Sequence, residues 1–214
     1  MRLWIILHIY IHKSMKYKKV LMFHWRWNTN NDQFSCTSLL AKQLKADGFD
    51  VTFDSLNYES WILVDEILAK YPEDYDFVVG HSAGGFLALQ YAQSHKNIKR
   101  LILIAPCTST KNFTPKFIQS LQDDLSQKEA EIFMNFHDQG IRHIAVNANC
   151  EKISFVFGKN DTDITQEVAD IYAKTYPNAK YIYLFAWHMG NSPEDTPEKI
   201  MEIYDRLFPK EFSK

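Results

Sequence analysis

The segment FVVGHSAGGFLALQYA, residues 77–92, places one hydroxyl between small residues. Gly80, Ser82 and Gly84 fit the pattern G-x-S-x-G, which follows an apolar run and precedes a helix-like run. A serine on a sharp strand-to-helix turn is exposed for nucleophilic attack, and the free N–H groups of the helix face the negative charge that develops. The segment therefore predicts a nucleophile at Ser82 and an oxyanion donor at the Ala83 N–H. The alternative is an inert turn that happens to contain a serine.

A serine hydroxyl is a weak nucleophile unless a base and an orienting acid activate it. On a strand–turn–helix scaffold we expect these groups in the order serine, acid, histidine, each after a strand. Asp161 follows an apolar run that ends at Gly158, and His188 follows another apolar run at 179–185. The sequence therefore predicts Asp161 as the acid and His188 as the base.

Two nearby residues are alternatives for these roles. Asp163 is a second candidate acid, but its place directly before the next predicted helix favours a role as that helix's N-cap. His81 is adjacent to Ser82 in sequence, and we expect its ring to point away from the site. Asp161 is therefore the favoured acid, and His188 remains the favoured base.

Short apolar runs alternate with helix-like segments along the rest of the chain. Strands are predicted over 18–25, 50–56, 75–81, 99–106, 152–158 and 179–185, and helices over 35–49, 59–71, 83–95, 164–176 and 194–208. This alternation predicts an α/β fold, with a mostly parallel central sheet and helices on both faces.

The length of 214 residues suits one domain, predicted over residues 15–214. Residues 1–14 are predicted to be an N-terminal extension, because Met15 would itself be a normal start. The segment 108–147 contains no predicted strand and is expected to form a short helical lid insertion. Its apolar residues, Phe133 among them, could roof an acyl pocket or pack against the sheet.

The motifs GHSAGG, FGKND and WHMGNSPEDTPEKI, in this order, resemble the α/β-hydrolase superfamily, and in particular its small serine esterases. The resemblance covers about residues 18–208. It implies the α/β-hydrolase fold, with Ser82 as nucleophile, Asp161 as acid and His188 as base.

The same resemblance implies where the second oxyanion donor lies. The family usually carries a His-Gly pair after the first core strand, and the matching place here has His24 followed by Trp25. Trp25 thus stands where glycine is expected, and both Trp25 and Arg26 remain candidate donors. His24, Trp27 and Cys107 are expected to line the substrate pocket together with Phe133.

The predicted activity is a serine hydrolase that cleaves a carboxylic ester or thioester through an acyl-enzyme intermediate, with no cofactor and no metal. Two alternatives stay open. The same scaffold also carries acyltransferases and lyases, and the departure at Trp25 leaves room for a non-catalytic binding protein with an impaired oxyanion hole.

Composition restricts the partners. Apolar residues make up 46% of the chain, charged residues make up 23%, and the net charge is −2. This balance gives no electrostatic basis for binding nucleic acid.

The apolar run near the start is too short to span a bilayer, so we expect no stable membrane insertion. Three widely spaced cysteines indicate neither a zinc site nor a disulfide framework and favour the cytoplasm. The expected partner is a small-molecule acyl substrate, and the oligomeric state is left open.

Overall fold

The structure is a computed structural model of the chain. It describes residues 18–25, 36–56, 64–107, 115–124, 127–128, 130–131, 134–135, 152–188 and 196–208. The predicted extension over residues 1–14 and more than half of the predicted insertion over 108–147 lie outside the described residues.

Six strands form one sheet in the described part of the chain. They are β1 Lys19–Trp25, β2 Asp50–Leu56, β3 Phe77–His81, β4 Arg100–Ile104, β5 Ile153–Gly158 and β6 Lys180–Leu184. Every pairing is parallel, and the strand order is β2-β1-β3-β4-β5-β6. The register pairs His81 with Ile104 and Gly158 with Leu184, so the segments that follow β3, β4, β5 and β6 meet at one edge of the sheet.

Helices cover both faces of this sheet, as predicted. They are α1 Cys36–Ala46, α2 Val64–Leu68, α3 Ala83–Ser94, α4 Pro115–Asp124, α5 Gln166–Thr175 and α6 Pro197–Leu207. The helices α2, α3 and α5 contribute to one apolar cluster, whereas α1 and α6 contribute to the other. Further helical residues lie at 127–128, 130–131 and 134–135.

The core follows from the alternation of side chains along each strand. In β1, Leu21 and Phe23 belong to the cluster under α3, while Val20 and Met22 belong to the cluster under α1 and α6. All four are fully buried. A strand with both faces covered must be apolar at every position, which explains the continuous apolar run in the sequence.

Two helix boundaries differ from the sequence-based expectation. The helix predicted over 164–176 begins at Gln166, with Thr165 at its N-cap, so the expected N-cap role of Asp163 is wrong. In the helix predicted over 59–71, the described helical part ends at Leu68 rather than at Tyr71. The N–H groups of Lys70 and Tyr71 donate to the carbonyls of Ile67 and Leu68, only three residues back, so the chain tightens after Leu68. Pro72 then prevents the helix from continuing, because the residue before a proline is disfavoured in helical conformation.

Within the described residues, no helix has the length and the apolar character needed to cross a membrane.

Two glycines allow α3 to pack against the strands beside it. A Cβ at Gly80 would lie 2.2 Å from the carbonyl oxygen of Gly84, and a Cβ at Gly84 would lie 2.3 Å from that of Phe23. Carbon atoms cannot approach backbone oxygens so closely, and the obstructing atoms are main chain that cannot rotate away. Any side chain at Gly84 would therefore push α3 away from the end of β1.

We expect Gly84→Ala to lower the free energy of unfolding by about 2–3 kcal/mol through this overpacking. Urea denaturation of the wild type and the variant measures the difference. Gly48→Asn is the control, because Gly48 has a φ of 83° and a Cβ added there would meet no atom within 4 Å. Asparagine tolerates that backbone conformation. An equal loss in both variants would contradict the steric explanation.

Candidate functional site

Ser82 occupies the turn between β3 and α3 in a strained backbone conformation. Its φ is 54° and its ψ is −123°. Residues with a Cβ rarely adopt this region. Its two backbone groups are held by the end of β4 and by the segment after it: the Ser82 N–H donates to the Ile104 carbonyl at 3.0 Å, and the Ser82 carbonyl accepts from the Cys107 N–H at 2.9 Å. These two bonds stabilise the strained turn.

The predicted acid, base and nucleophile lie together as one hydrogen-bonded group. Nε2 of His188 is 3.0 Å from Oγ of Ser82, and its Nδ1 is 2.8 Å from Oδ2 of Asp161. Because a carboxylate accepts, Nδ1 carries the hydrogen in neutral His188, which leaves Nε2 to accept from the Ser82 hydroxyl. All three residues are buried, so water does not compete strongly for these contacts.

Asp161 is fixed by the loop on which it lies. Its second oxygen, Oδ1, accepts from the backbone N–H groups of Asp163 and Ile164, each at 2.9 Å. These two bonds orient the carboxylate so that Oδ2 faces His188. Asp163 therefore contributes its backbone N–H to the group, while the carboxylate that contacts His188 belongs to Asp161.

The loops that carry Asp161 and His188 pack directly on each other. The Asn160 N–H donates to the Ala186 carbonyl at 3.1 Å, and the Lys159 N–H donates to the Leu184 carbonyl at 2.8 Å. A Cβ at Gly158 would lie 2.1 Å from the Trp187 carbonyl oxygen. Only glycine permits this approach, which brings the segment before His188 over the end of β5.

The N-terminus of α3 begins directly after the nucleophile candidate. Ala83 is the first residue of the helix, so its N–H has no acceptor within the helix. This N–H and the positive end of the helix dipole lie directly after Ser82, where negative charge is favoured.

The other predicted site residues have different positions. Cys107, which is predicted to line the substrate pocket, is buried, and its sulfur lies 3.5 Å from Oγ of Ser82. His24 is also buried, but its ring stacks on Phe53 and its Nδ1 is hydrogen-bonded to Thr37. Trp25 ends β1 opposite Leu56. The side chain of Trp25, and all of Arg26, Trp27 and Phe133, lie outside the described residues.

A cavity of about 750 Å³ lies between α4 and the helical residues at 127–128, 130–131 and 134–135. Its lining combines Ile118, Ala130 and Met134 with the polar side chains of Gln122, Gln127, Glu131 and Asn135. Ile118 and Met134 also pack against the apolar cluster that contains Ala83 and Cys107. Through Ile118 and Met134, the described part of the segment between β4 and β5 therefore adjoins the core on the α3 side of the sheet.

In the described chain, the group of side chains whose spacing could hold a metal ion is Asp161, Asp163 and His188, with ligand atoms within 4.8 Å of one another. Both oxygens of Asp161 already accept hydrogen bonds from His188 and from the backbone. The contacts of Asp161 and His188 are therefore accounted for by hydrogen bonds.

The expectation for His81 is wrong. The ring of His81 does not point away: its Nε2 lies 3.0 Å from the backbone carbonyl oxygen of His188, and the two ring centroids are 5.0 Å apart. His81 is fully buried, and desolvation, followed by the neighbouring His188 and His24, holds its pKa well below the usual value. The signal available in the sequence was a histidine directly before the candidate nucleophile.

The sheet, its helices and the arrangement at its carboxyl edge define the class of α/β hydrolases. An α/β hydrolase enzyme from the metagenome of sediments from the lagoon of Mar Chica, Morocco, is similar over 92% of each chain, with a TM-score of 0.66 and 15% identity. The esterase domain of a Rhodothermus marinus protein is similar over 90% of this chain and 89% of its own, with a TM-score of 0.60 and 13% identity. A monoacylglycerol lipase from Paleococcus ferrophilus covers 88% of this chain and 93% of its own, with a TM-score of 0.60 and 16% identity. At identities this low, the structural similarity shows a shared fold only.

The sequence also identifies the family. The family model described as "Serine aminopeptidase, S33" matches residues 51–182, more than half of the chain, and the protein belongs to this hydrolase family. No curated protein sequence matches the chain significantly.

Burial raises the pKa of the Cys107 thiol to about 12, so this thiol stays protonated at neutral and mildly alkaline pH. Because the thiolate is the reactive form, we expect Cys107 to resist iodoacetamide at about pH 8 in the native protein. Peptide mapping by mass spectrometry, before and after unfolding in urea, measures the labelling at this residue. Rapid labelling of Cys107 in the native state would contradict the described environment.

Proposed function

We propose that the protein is a serine hydrolase that cleaves carboxylic esters or thioesters through an acyl-enzyme intermediate. The observation that carries this proposal is the hydrogen-bonded path from Asp161 through His188 to Ser82, with distances of 2.8 Å and 3.0 Å. A serine, an imidazole and a carboxylate in this order are the groups that acyl transfer to a hydroxyl requires.

In the first step, Nε2 of His188 takes the proton of the Ser82 hydroxyl while Oγ attacks the carbonyl carbon of the substrate. The imidazolium that forms is stabilised by the Asp161 carboxylate, whose orientation the backbone N–H groups of Asp163 and Ile164 maintain. His188 then gives the proton to the departing alcohol or thiol, and the acyl group stays on Ser82.

The negative oxygen of the tetrahedral intermediate needs donors that are already in place. The Ala83 N–H is the proposed first donor, because it begins α3 directly after the nucleophile. The second is proposed to come from Trp25 or Arg26. The close approach of Gly84 to the Phe23 carbonyl supports this, since it brings the end of β1 beside the start of α3.

In the second step, water enters, gives a proton to Nε2 of His188 and attacks the acyl carbon. The ester bond to Oγ breaks, Oγ recovers the proton from His188, and the carboxylic acid leaves. Every proton transfer in both steps runs through His188, so the proposed chemistry is complete with the residues of this chain.

The proposed substrate is a small-molecule ester or thioester. Cys107 lies beside the nucleophile and would contact the acyl group, while the segment with Ile118, Met134 and Phe133 would roof it. The esterase domain and the monoacylglycerol lipase among the similar structures support ester cleavage as the first activity to test. The family description names an aminopeptidase, and an amide substrate would be attacked in the same way.

We expect the wild type to hydrolyse p-nitrophenyl esters, with the acyl chain varied from short to long and a matching p-nitroanilide included for amide cleavage. Ser82→Ala and His188→Ala should each lower kcat by about 10⁴-fold or more, because the nucleophile and its base act as a unit. Asp161→Asn should lower kcat by about 10³- to 10⁴-fold, because an amide at Oδ2 disfavours the required tautomer of His188. Initial rates of p-nitrophenol release measure all three effects.

Asp163→Asn is the matched control for this series. It changes a neighbouring carboxylate but leaves the backbone N–H that bonds to Asp161, so we expect it to keep most of the wild-type kcat. Activity that survives the changes at Ser82, Asp161 and His188 would contradict the assignment. A larger loss in Asp163→Asn than in Asp161→Asn would move the role of the acid to Asp163.

A fluorophosphonate probe separates an enzyme from a binding protein that only has the fold. We expect the probe to label the wild type and the Asp163→Asn control but not Ser82→Ala, because labelling needs an activated serine. If neither the wild type nor Ser82→Ala is labelled, the hydrolase proposal fails.

A further inference from the structure

His81 is the last residue of β3 and lies directly before Ser82, yet its ring contacts the loop that carries His188. Its Nε2 is 3.0 Å from the His188 carbonyl oxygen. A carbonyl oxygen can only accept, so Nε2 of His81 must carry the hydrogen. The contact joins the end of β3 to a segment 107 residues further along the chain.

The ring of His81 has two other histidine rings as neighbours. Its centroid lies 5.0 Å from that of His188, with a tilt of 43°, and 6.3 Å from that of His24, in a stacked arrangement at 14°. His24 in turn stacks on Phe53 of β2 and is hydrogen-bonded to Thr37 of α1. The ring therefore packs against two neighbouring rings, and the contact with the His188 carbonyl sets the direction of its Nε2–H.

The environment of His81 also keeps the ring uncharged. Burial is the largest cause of its lowered pKa, and the groups His188 and His24 facing it lower the pKa further. The two rings have centroids only 5.0 Å apart. A positive charge on His81 would therefore oppose the imidazolium that the proposed mechanism forms at His188. A neutral Nε2–H donor supplies the contact without that charge.

The carbonyl that accepts this bond belongs to the residue whose side chain would do the proton transfer. Asp161 orients the His188 ring at Nδ1, but a bond at Nδ1 does not fix the main chain from which the ring extends. The bond from His81 acts on that main chain. It therefore contributes to the position of Nε2 relative to Oγ of Ser82, and a shift of about 1 Å there is enough to slow a reaction about 10²-fold.

We propose that His81 is a positioning residue for His188: its Nε2–H holds the His188 carbonyl and so sets the distance between the base and Ser82. This inference rests on the proposed function of Ser82, Asp161 and His188 as a catalytic group. It assigns a role to the histidine of the G-x-S-x-G segment that the acyl-transfer steps themselves leave without one.

Two variants of His81 separate the hydrogen bond from the packing. His81→Gln retains an N–H donor that can reach the place of ring Nε2, whereas His81→Phe retains a ring of similar size without a donor. We expect His81→Phe to lower kcat on p-nitrophenyl acetate by about 10- to 100-fold, with KM within about twofold of the wild type. His81→Gln should recover most of this loss. A His81→Phe enzyme with wild-type kcat, or a Gln variant no better than the Phe variant, would overturn the proposal.

A second measurement, made on the wild type, does not depend on catalytic activity. Long-range ¹H–¹⁵N correlation spectra of protein labelled at histidine report which ring nitrogen carries the hydrogen, and the signals missing in His81→Gln identify His81. We expect the neutral Nε2–H form, with no protonation step near the ordinary histidine pKa of about 6.5. An Nδ1–H form, or a protonation step near the ordinary histidine pKa, would overturn the hydrogen bond from His81 to the His188 carbonyl.

The two measurements also distinguish this inference from the proposed function. A wild type that is inactive and not labelled by the fluorophosphonate, but whose His81 has the neutral Nε2–H form, would overturn the proposed function while supporting the contact. An active wild type whose His81 has the Nδ1–H form would support the proposed function and overturn the His81 contact.

Discussion

Ser82 adopts a φ of 54° where the chain turns from β3 into α3. This conformation persists only because the surrounding structure imposes it. The end of β4 supplies that constraint, through the bonds from the Ser82 N–H to Ile104 and from the Cys107 N–H to the Ser82 carbonyl. The segment after β4 is itself unusual, since Ala105 has a φ of 39°. The two irregular turns are thus bonded to each other, and each depends on the parallel pairing of β3 with β4.

The other two members of the group depend on the next strands in the sheet. The loops after β5 and β6 are bonded to each other near Asn160 and Ala186, which fixes Asp161 relative to His188. His188 then contacts Ser82 through its side chain and His81 through its main chain. In the account proposed here, the base is therefore positioned by three elements at once, and the sheet sets the geometry because it fixes the strand ends.

Much of this arrangement could be predicted from the sequence because the signals are local. Fully apolar strands, a G-x-S-x-G turn and an Asp and a His after later strands all have a fixed position relative to their own element. Gly80 and Gly84 follow the same logic, since their need for close approach is a property of the elbow. In a parallel sheet the carboxyl ends of the strands lie at the same edge, so residues that follow different strands come together there.

What could not be predicted depends on contacts between distant segments. His81 was expected to point away, because nothing near it in the sequence indicates that the loop at His188 folds over the end of β3. Asp163 was expected to be an N-cap, but the chain continues through two further residues before α5 begins, so that Asp161 can accept the N–H groups of Asp163 and Ile164. His24 shows the same limitation, since its partners Thr37 and Phe53 come from other elements.

If Ser82 carries the acyl group between the two proposed steps, that intermediate can be trapped on it. The wild type is mixed with p-nitrophenyl acetate, quenched in acid within the first turnover, digested and examined by mass spectrometry. The account predicts one acetyl group on the peptide that contains Ser82, formed together with a burst of p-nitrophenol and lost as turnover proceeds. Ester cleavage with the acetyl group on another residue, or with no acetylated peptide at any quench time, would contradict it.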